Sequence, residues 1–146
     1  MVVVAILVIS LLLFRMAGAL GVPALASWVV ATRYALAVMF AATGAAHFNR
    51  TRHELASMVP RAFSNPMAIV YFTGVCEFAG AIGILIPRFR SAAGICLVVL
   101  LAAMLPANIK AARAGLTILG KPATALWLRI PMQVVFIGLV WGSTRT

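Results

Sequence analysis

Apolar residues fall into five runs, 2–20, 27–48, 67–87, 91–110 and 123–142, each about as long as a bilayer is thick. A helix rises ~1.5 Å per residue, so about 20 residues cover a hydrocarbon core of roughly 30 Å. In that core every backbone N–H and C=O must be satisfied inside the segment, which leaves helices or closed barrels. The runs are continuous rather than alternating, which argues against a barrel. Hydrophobic residues make up 64% of the 146 and charged residues 10%, more apolar surface than a soluble domain of this length can hide. The expectation is an all-α polytopic transmembrane helix bundle, a single membrane domain over 1–146, in the plasma (inner) membrane. The first run could be a signal peptide, because Ala24-Leu25-Ala26 resembles a cleavage site. No Lys or Arg precedes it and Arg15 interrupts its end, so a retained span is expected. Arg15 can snorkel to the interface.

Twelve Lys and Arg stand against two acids, Glu54 and Glu77. The cations lie mainly between spans, one or a few at a time, which suits headgroup anchoring and topology rather than nucleic acid. Arg50, Arg52, Arg61, Lys110, Arg113 and Lys121 share one side. Arg15, Arg33, Arg88, Arg90 and Arg145 share the other, so the first side is weakly favoured as cytoplasmic. The polar stretch 49–65 contains a candidate surface helix, His53 to Val59, stopped by Pro60. Ser64-Asn65-Pro66 is a helix start. The connector 111–122 is basic and contains glycine. Cys76 and Cys96 have neither a C-x-x-C nor a metal spacing and read as buried free thiols.

Glu77 sits near the middle of the third run, where a carboxylate costs about 2.5–3.5 kcal/mol on an insertion scale. Helical spacing places Thr73, Gly74, Gly80, Ala81 and Ile84 on its face. That face is small and polar, so it points inward and another helix can approach closely. In the second run Arg33, Leu36, Phe40, Thr43 and His47 form one inward stripe. Five alternating spans bring His47, Asn108 and Arg129 to one end of the bundle, with Gln133 one turn deeper than Arg129 on the same face. Glu77 and Arg129 are expected to form a buried pair where the third and fifth spans touch. Pro106 and Pro131 each free a helix carbonyl that another group must meet. Convergence of these residue types points to a polar pocket in an apolar bundle; the alternative is a hydrogen-bond network that only orients helices.

Gly44-x-x-His47-Phe48, Met58-Val59-Pro60, Thr73-Gly74-x-x-Glu77-x-x-Gly80-Ala81-x-Gly83-x-Leu85-x-Pro87, Pro106-Ala107-Asn108 and Trp127-Leu128-Arg129 resemble the DoxX-like membrane proteins, over about Arg33 to Trp141. The resemblance implies a four-helix DoxX-like core over 26–146, with residues 1–25 an extra N-terminal span. It also implies a link to quinone and thiol redox chemistry through complexes with soluble enzymes, or a role in assembling other membrane proteins.

On this reading Glu77 and His47 are the catalytic candidates, as proton carriers. Arg129, Asn108, Gln133, Trp127 and Thr73 are the substrate-binding candidates, with a quinone as the expected ligand and no metal. No haem or iron–sulfur spacing is present, so electrons would come from a soluble redox partner. The alternative function is a non-enzymatic scaffold or assembly factor for a membrane-protein client, using small-residue faces such as Ala79-x-x-x-Gly83. Transport of a small anion is a third reading, disfavoured by the absence of a repeat or paired broken helices. Membrane lipid is a partner on every reading; nucleic acid is not.

Overall fold

The computed structural model describes residues 2–118 and 120–145. Met1, Leu119 and Thr146 lie outside them, Leu119 within the connector 111–122, and only the backbone of Lys121 is described. The helices are α1 (Val2–Ala19), α2 (Trp28–Ala46), α3 (Arg52–Met58), α4 (Pro66–Gly83), α5 (Arg90–Arg113) and α6 (Leu126–Thr144). All except α3 are long and apolar enough to cross a membrane. The chain is thus a helical membrane protein, and α3 is the short polar helix expected between the second and third spans.

Local chemistry sets the helix ends. The Asn65 side chain accepts the Ala68 N–H at 3.1 Å, and Pro66 occupies the first turn of α4, where its missing N–H costs nothing. Helix α4 closes at Gly83, four residues short of the expected Pro87. A proline disfavours helical geometry at the residue before it and cannot donate to the preceding turn. Helix α5 runs three residues past the expected Lys110, to Arg113. In the connector, β1 (Thr117–Ile118) pairs antiparallel with β2 (Lys121–Pro122), and Gly120 takes the positive φ of 69° that their turn requires. Strands this short carry no readable alternation, which is why the sequence does not announce them.

Four of the spanning helices close a ring. Helix α2 packs on α4, α4 on α5, α5 on α6, and α6 returns to α2. The diagonals, α2 with α5 and α4 with α6, are not packed pairs. Helix α1 stands outside the ring against α2, with Leu7 its one buried residue among those described. Leu36 and Phe40 of α2, Ile84 after α4, Leu97 of α5 and Val140 of α6 fill the centre. Gly80 and Gly83 of α4 face Leu97 and Ala93 of α5, so the small face of α4 is spent inside the ring. Ala79 is exposed and Gly83 buried, so the two do not make one outward small-residue stripe. Cys96 is exposed and Cys76 half-buried, both free, which corrects the expectation of two buried thiols.

One end of the ring is sealed by arginine. Arg33 is buried and donates through Nε and Nη2 to the Ser143 carbonyl at 3.0 and 2.7 Å. That carbonyl belongs to the last turn of α6, where no intrahelical donor remains and the helix dipole favours a cation. Ser91 donates to the Thr144 carbonyl beside it at 3.3 Å. Arg15 Nη1 donates to the carbonyls of Leu25 and Ala26, and its guanidinium lies 4.6 Å from the Trp28 ring centre.

Candidate functional site

The opposite end of the ring is open. A cavity of about 300 Å³ lies between α4 and α5 under a roof made by α3 and the turn after it. Leu55 and Met58 of α3, with Val59, Pro60 and Phe63, form the roof; Val70 and Thr73 of α4, and Leu100, Met104 and Asn108 of α5, form the walls. Its polar groups come from His47, Thr73 and Asn108. Phe72 lines it and is 65% exposed, so the cavity opens sideways between α4 and α5 into the lipid-facing surface.

The roof is pinned by one side chain. Lys110 Nζ donates to the Ser57 carbonyl at 2.8 Å and to the Val59 carbonyl at 2.6 Å. These carbonyls belong to the C-terminal end of α3, where a cation complements both the orphan acceptors and the dipole.

Glycine brings the first polar pair together. A Cβ on Gly74 would lie 2.6 Å from the Cβ of His47, and one on Gly44 would lie 3.3 Å from the Gly74 carbonyl oxygen. With no side chain at either glycine, the α2 and α4 backbones approach closely enough for His47 Nδ1 to lie 3.8 Å from Glu77 Oε2. Both residues are 4% exposed. His47 Nδ1 also lies 2.9 Å from the Thr43 carbonyl. A carbonyl can only accept, so Nδ1 carries a proton, and Nε2 is the ring nitrogen left for the cavity. Among the described residues Glu77 Oε2 has no hydrogen-bond partner, while the Thr43 hydroxyl interacts with the same carboxyl. A buried carboxylate with an unused oxygen beside an imidazole is a site that can hold or pass a proton.

The second pair is Arg129 and Asn108. Arg129 Nη1 donates to Asn108 Oδ1 at 2.7 Å. Guanidinium has no acceptor, so the contacting amide atom must be oxygen. The Asn108 amide oxygen is thereby committed, and its N–H₂ is the group available to the cavity. Thr73 Oγ1 donates back to the Ile69 or Val70 carbonyl, each at 3.0 Å, which leaves it an acceptor toward a ligand.

The expected Glu77–Arg129 ion pair does not form. Among the described residues the group nearest the Glu77 carboxyl is the His47 imidazole, an ion pair when that ring is protonated, and Arg129 instead donates a hydrogen bond to the neutral Asn108 amide. The reason is the ring: α4 and α6 are diagonal, and α2 and α5 come between them. Gln133 is buried, but its Nε2 donates to the Leu101 carbonyl of α5 and its Oε1 has no partner among the described residues, so it braces α6 against α5 outside the cavity lining. The carbonyl that Pro106 leaves without an N–H is that of Ala102, and the one Gln133 meets is that of Leu101, one residue away. Trp127 is 77% exposed and faces away. It precedes Arg129 by two residues, roughly 200° around the helix, so when Arg129 points inward Trp127 points out. At the start of α6 it is placed to anchor at the interface, as Trp28 and Trp141 are at the other end.

His47, Thr73 and Asn108 therefore line one cavity. Glu77 and Arg129 stand behind the first and last of these, and Gln133 and Trp127 lie elsewhere. The sequence reading had α3 as a surface helix, but not as the roof of a cavity, and it missed the Lys110 tether. Their signal was an apolar set in a polar stretch, Leu55, Met58 and Val59, followed by a lysine one residue after Ile109 at the matching end of α5.

No curated protein and no solved structure matches the chain. A family model described as Domain of unknown function (DUF8561) matches residues 36–144, which runs from within α2 to the end of α6 and leaves α1 out. The chain belongs to the DUF8561 family.

Proposed function

We propose that the chain is a membrane subunit of a redox-linked complex in the plasma membrane, and that its cavity binds the ring of a quinone-like lipid. The observation that carries this reading is the commitment of the Asn108 amide oxygen to Arg129, which leaves an amide donor in the same largely apolar cavity that the His47 imidazole lines. A quinone ring needs donors at its carbonyl oxygens and apolar walls at its faces, and its prenyl tail needs a sideways exit to lipid. Asn108 would donate to one carbonyl. Arg129, one bond behind, would strengthen that donor and stabilise charge that develops on the oxygen. His47 Nε2 would exchange a proton with the ring oxygen nearest it, and Glu77 would balance the imidazolium from the Nδ1 side. Electrons would come from a soluble redox partner. The resemblance to DoxX-like proteins supports the same reading, with Glu77 and His47 as proton carriers.

The test is extraction of bound quinone from full-length protein purified in mild detergent, beside the variant Asn108→Leu. The reading predicts about one quinone per chain in the wild type and a loss of at least tenfold in the variant. Wild-type protein that carries no quinone and binds none saturably would overturn it. A scaffold role then becomes the better account, favoured by the outer position of α1, most of whose surface is left open to a partner.

A further inference from the structure

Beside the cavity, on the same end of the bundle, Arg61, Lys110 and Arg113 line an open groove with Pro60, Pro106 and Ile109. Pro60 and Pro106 also wall the cavity, so groove and cavity are neighbours across a shared rim. Neither of the chain's acids, Glu54 and Glu77, lines the groove. Three like charges are thus drawn together with no carboxylate among the described residues that line the groove. Lys110 spends two of its three N–H donors on the α3 carbonyls and keeps one. Arg61 comes from the loop that follows α3, and Arg113 ends α5. The groove therefore joins the loop between α3 and α4 to the end of a spanning helix, the part of a transmembrane segment that lies nearest the headgroups.

We infer that Arg61, Lys110 and Arg113 form a binding site for the phosphate of an anionic membrane lipid, seated at the rim of the cavity. The chemistry matches on three counts. A phosphate diester offers unsubstituted oxygens to guanidinium forks, which bind it bidentately. An ammonium with one spare donor completes the set. The Ile109 and proline walls accept the glycerol and upper chain region of a lipid already in the bilayer. A headgroup held there bridges Arg61 to Arg113 and holds the α3 roof down from outside, as Lys110 holds it from below. The inference does not rest on the quinone reading, since the groove lies outside the cavity and would hold a lipid whatever the cavity contains.

The experiment uses the full chain in detergent, exchanged into lipid and read by native mass spectrometry. The probes are phosphatidylglycerol, phosphatidylcholine and inorganic phosphate. The wild type should retain phosphatidylglycerol over phosphatidylcholine. The double variant Arg61→Gln/Arg113→Gln should weaken that retention about 30-fold, or about 2 kcal/mol at ~1.4 kcal/mol per decade, as expected for two cations near an anionic headgroup. The variant Arg50→Gln/Arg88→Gln removes the same charge from exposed positions outside the groove and should leave retention unchanged. Equal loss in both double variants, or equal retention of the two lipids by the wild type, would overturn the site. Displacement of the lipid by millimolar inorganic phosphate would overturn the lipid as its source and assign the groove to a soluble phosphate. The comparison of the two lipids on wild-type protein needs no variant and stands if a variant does not fold.

Discussion

Replacing Gly74 by Ala tests how the site is built. The added methyl would meet the His47 Cβ at 2.6 Å and the Phe48 ring at 2.9 Å. Carbon atoms in contact prefer about 3.5–4.0 Å, so the overlap is roughly 1 Å. A Cβ cannot swing away as a side-chain tip can, so relief must come from moving the α2 backbone off α4. Overpacking of this kind costs about 1–3 kcal/mol. For a chain of this size each kcal/mol shifts a melting midpoint by about 2–4 °C. Gly74→Ala should therefore melt roughly 2–12 °C below the wild type in a thermal-shift assay in detergent, and should part His47 from Glu77. Gly138→Ala is the matched control: nothing lies within 4 Å of the methyl it would add. It should be neutral or slightly stabilising, because alanine is the better helix former by ~1 kcal/mol. A Gly74→Ala protein as stable as the wild type, or two variants destabilised equally, would refute close packing of α2 on α4 as the device that assembles the site.

Four further outcomes are expected. Asn108→Leu strands the Arg129 guanidinium and should cost about 1.5–3 kcal/mol, while Asn108→Leu/Arg129→Leu should cost less than the single change; additive losses in the cycle would mean the two do not interact. Lys110→Met removes both bonds that hold the end of α3, so hydrogen exchange across residues 52–58 should speed up by about tenfold or more, with the spanning helices unaffected; unchanged protection of α3 would remove Lys110 as the tether. Glu77→Gln keeps the shape beside His47 and removes the charge, and is predicted to leave the fold and quinone retention intact while abolishing quinone-dependent turnover by the complex; normal turnover would take Glu77 out of the proton path. Five spans put the termini on opposite faces, so tags at the two ends should show opposite protease accessibility in sealed vesicles, and equal accessibility would remove a span.

The spans were legible because membrane solvent acts on sequence without compromise: an apolar run of the right length has few alternatives. The inward stripes were legible for the same reason. Leu36 and Phe40 with His47, and Gly80 with Ala81 and Glu77, are buried as their helical spacing requires. Pairing across helices was less legible. Depth alone suggested that Glu77 meets Arg129, since each is costly in hydrocarbon and each can reach toward the other. Chain order argued otherwise: successive spans are usually neighbours, which makes the first and third of three diagonal once the ring closes. The glycine at position 74 was visible, but that it lies against His47 follows from the register of α2 on α4, which no single helix contains. Trp127 was misplaced by reading Trp-Leu-Arg as one motif; residues two apart on a helix face opposite ways. The roof over the cavity was hidden because α3 is too short for its apolar side to stand out among the surrounding cations.

The central claim is that a quinone ring occupies the cavity beneath α3. An azido-quinone, photoactivated on the full-length protein in membranes and mapped by peptide mass spectrometry, addresses it most directly. The account predicts adducts on cavity residues such as Met58, Val59 and Met104, suppressed by excess unlabelled quinone and lost in Asn108→Leu. Adducts spread over the outward faces of α1 and α6, unaffected by competitor, would contradict it.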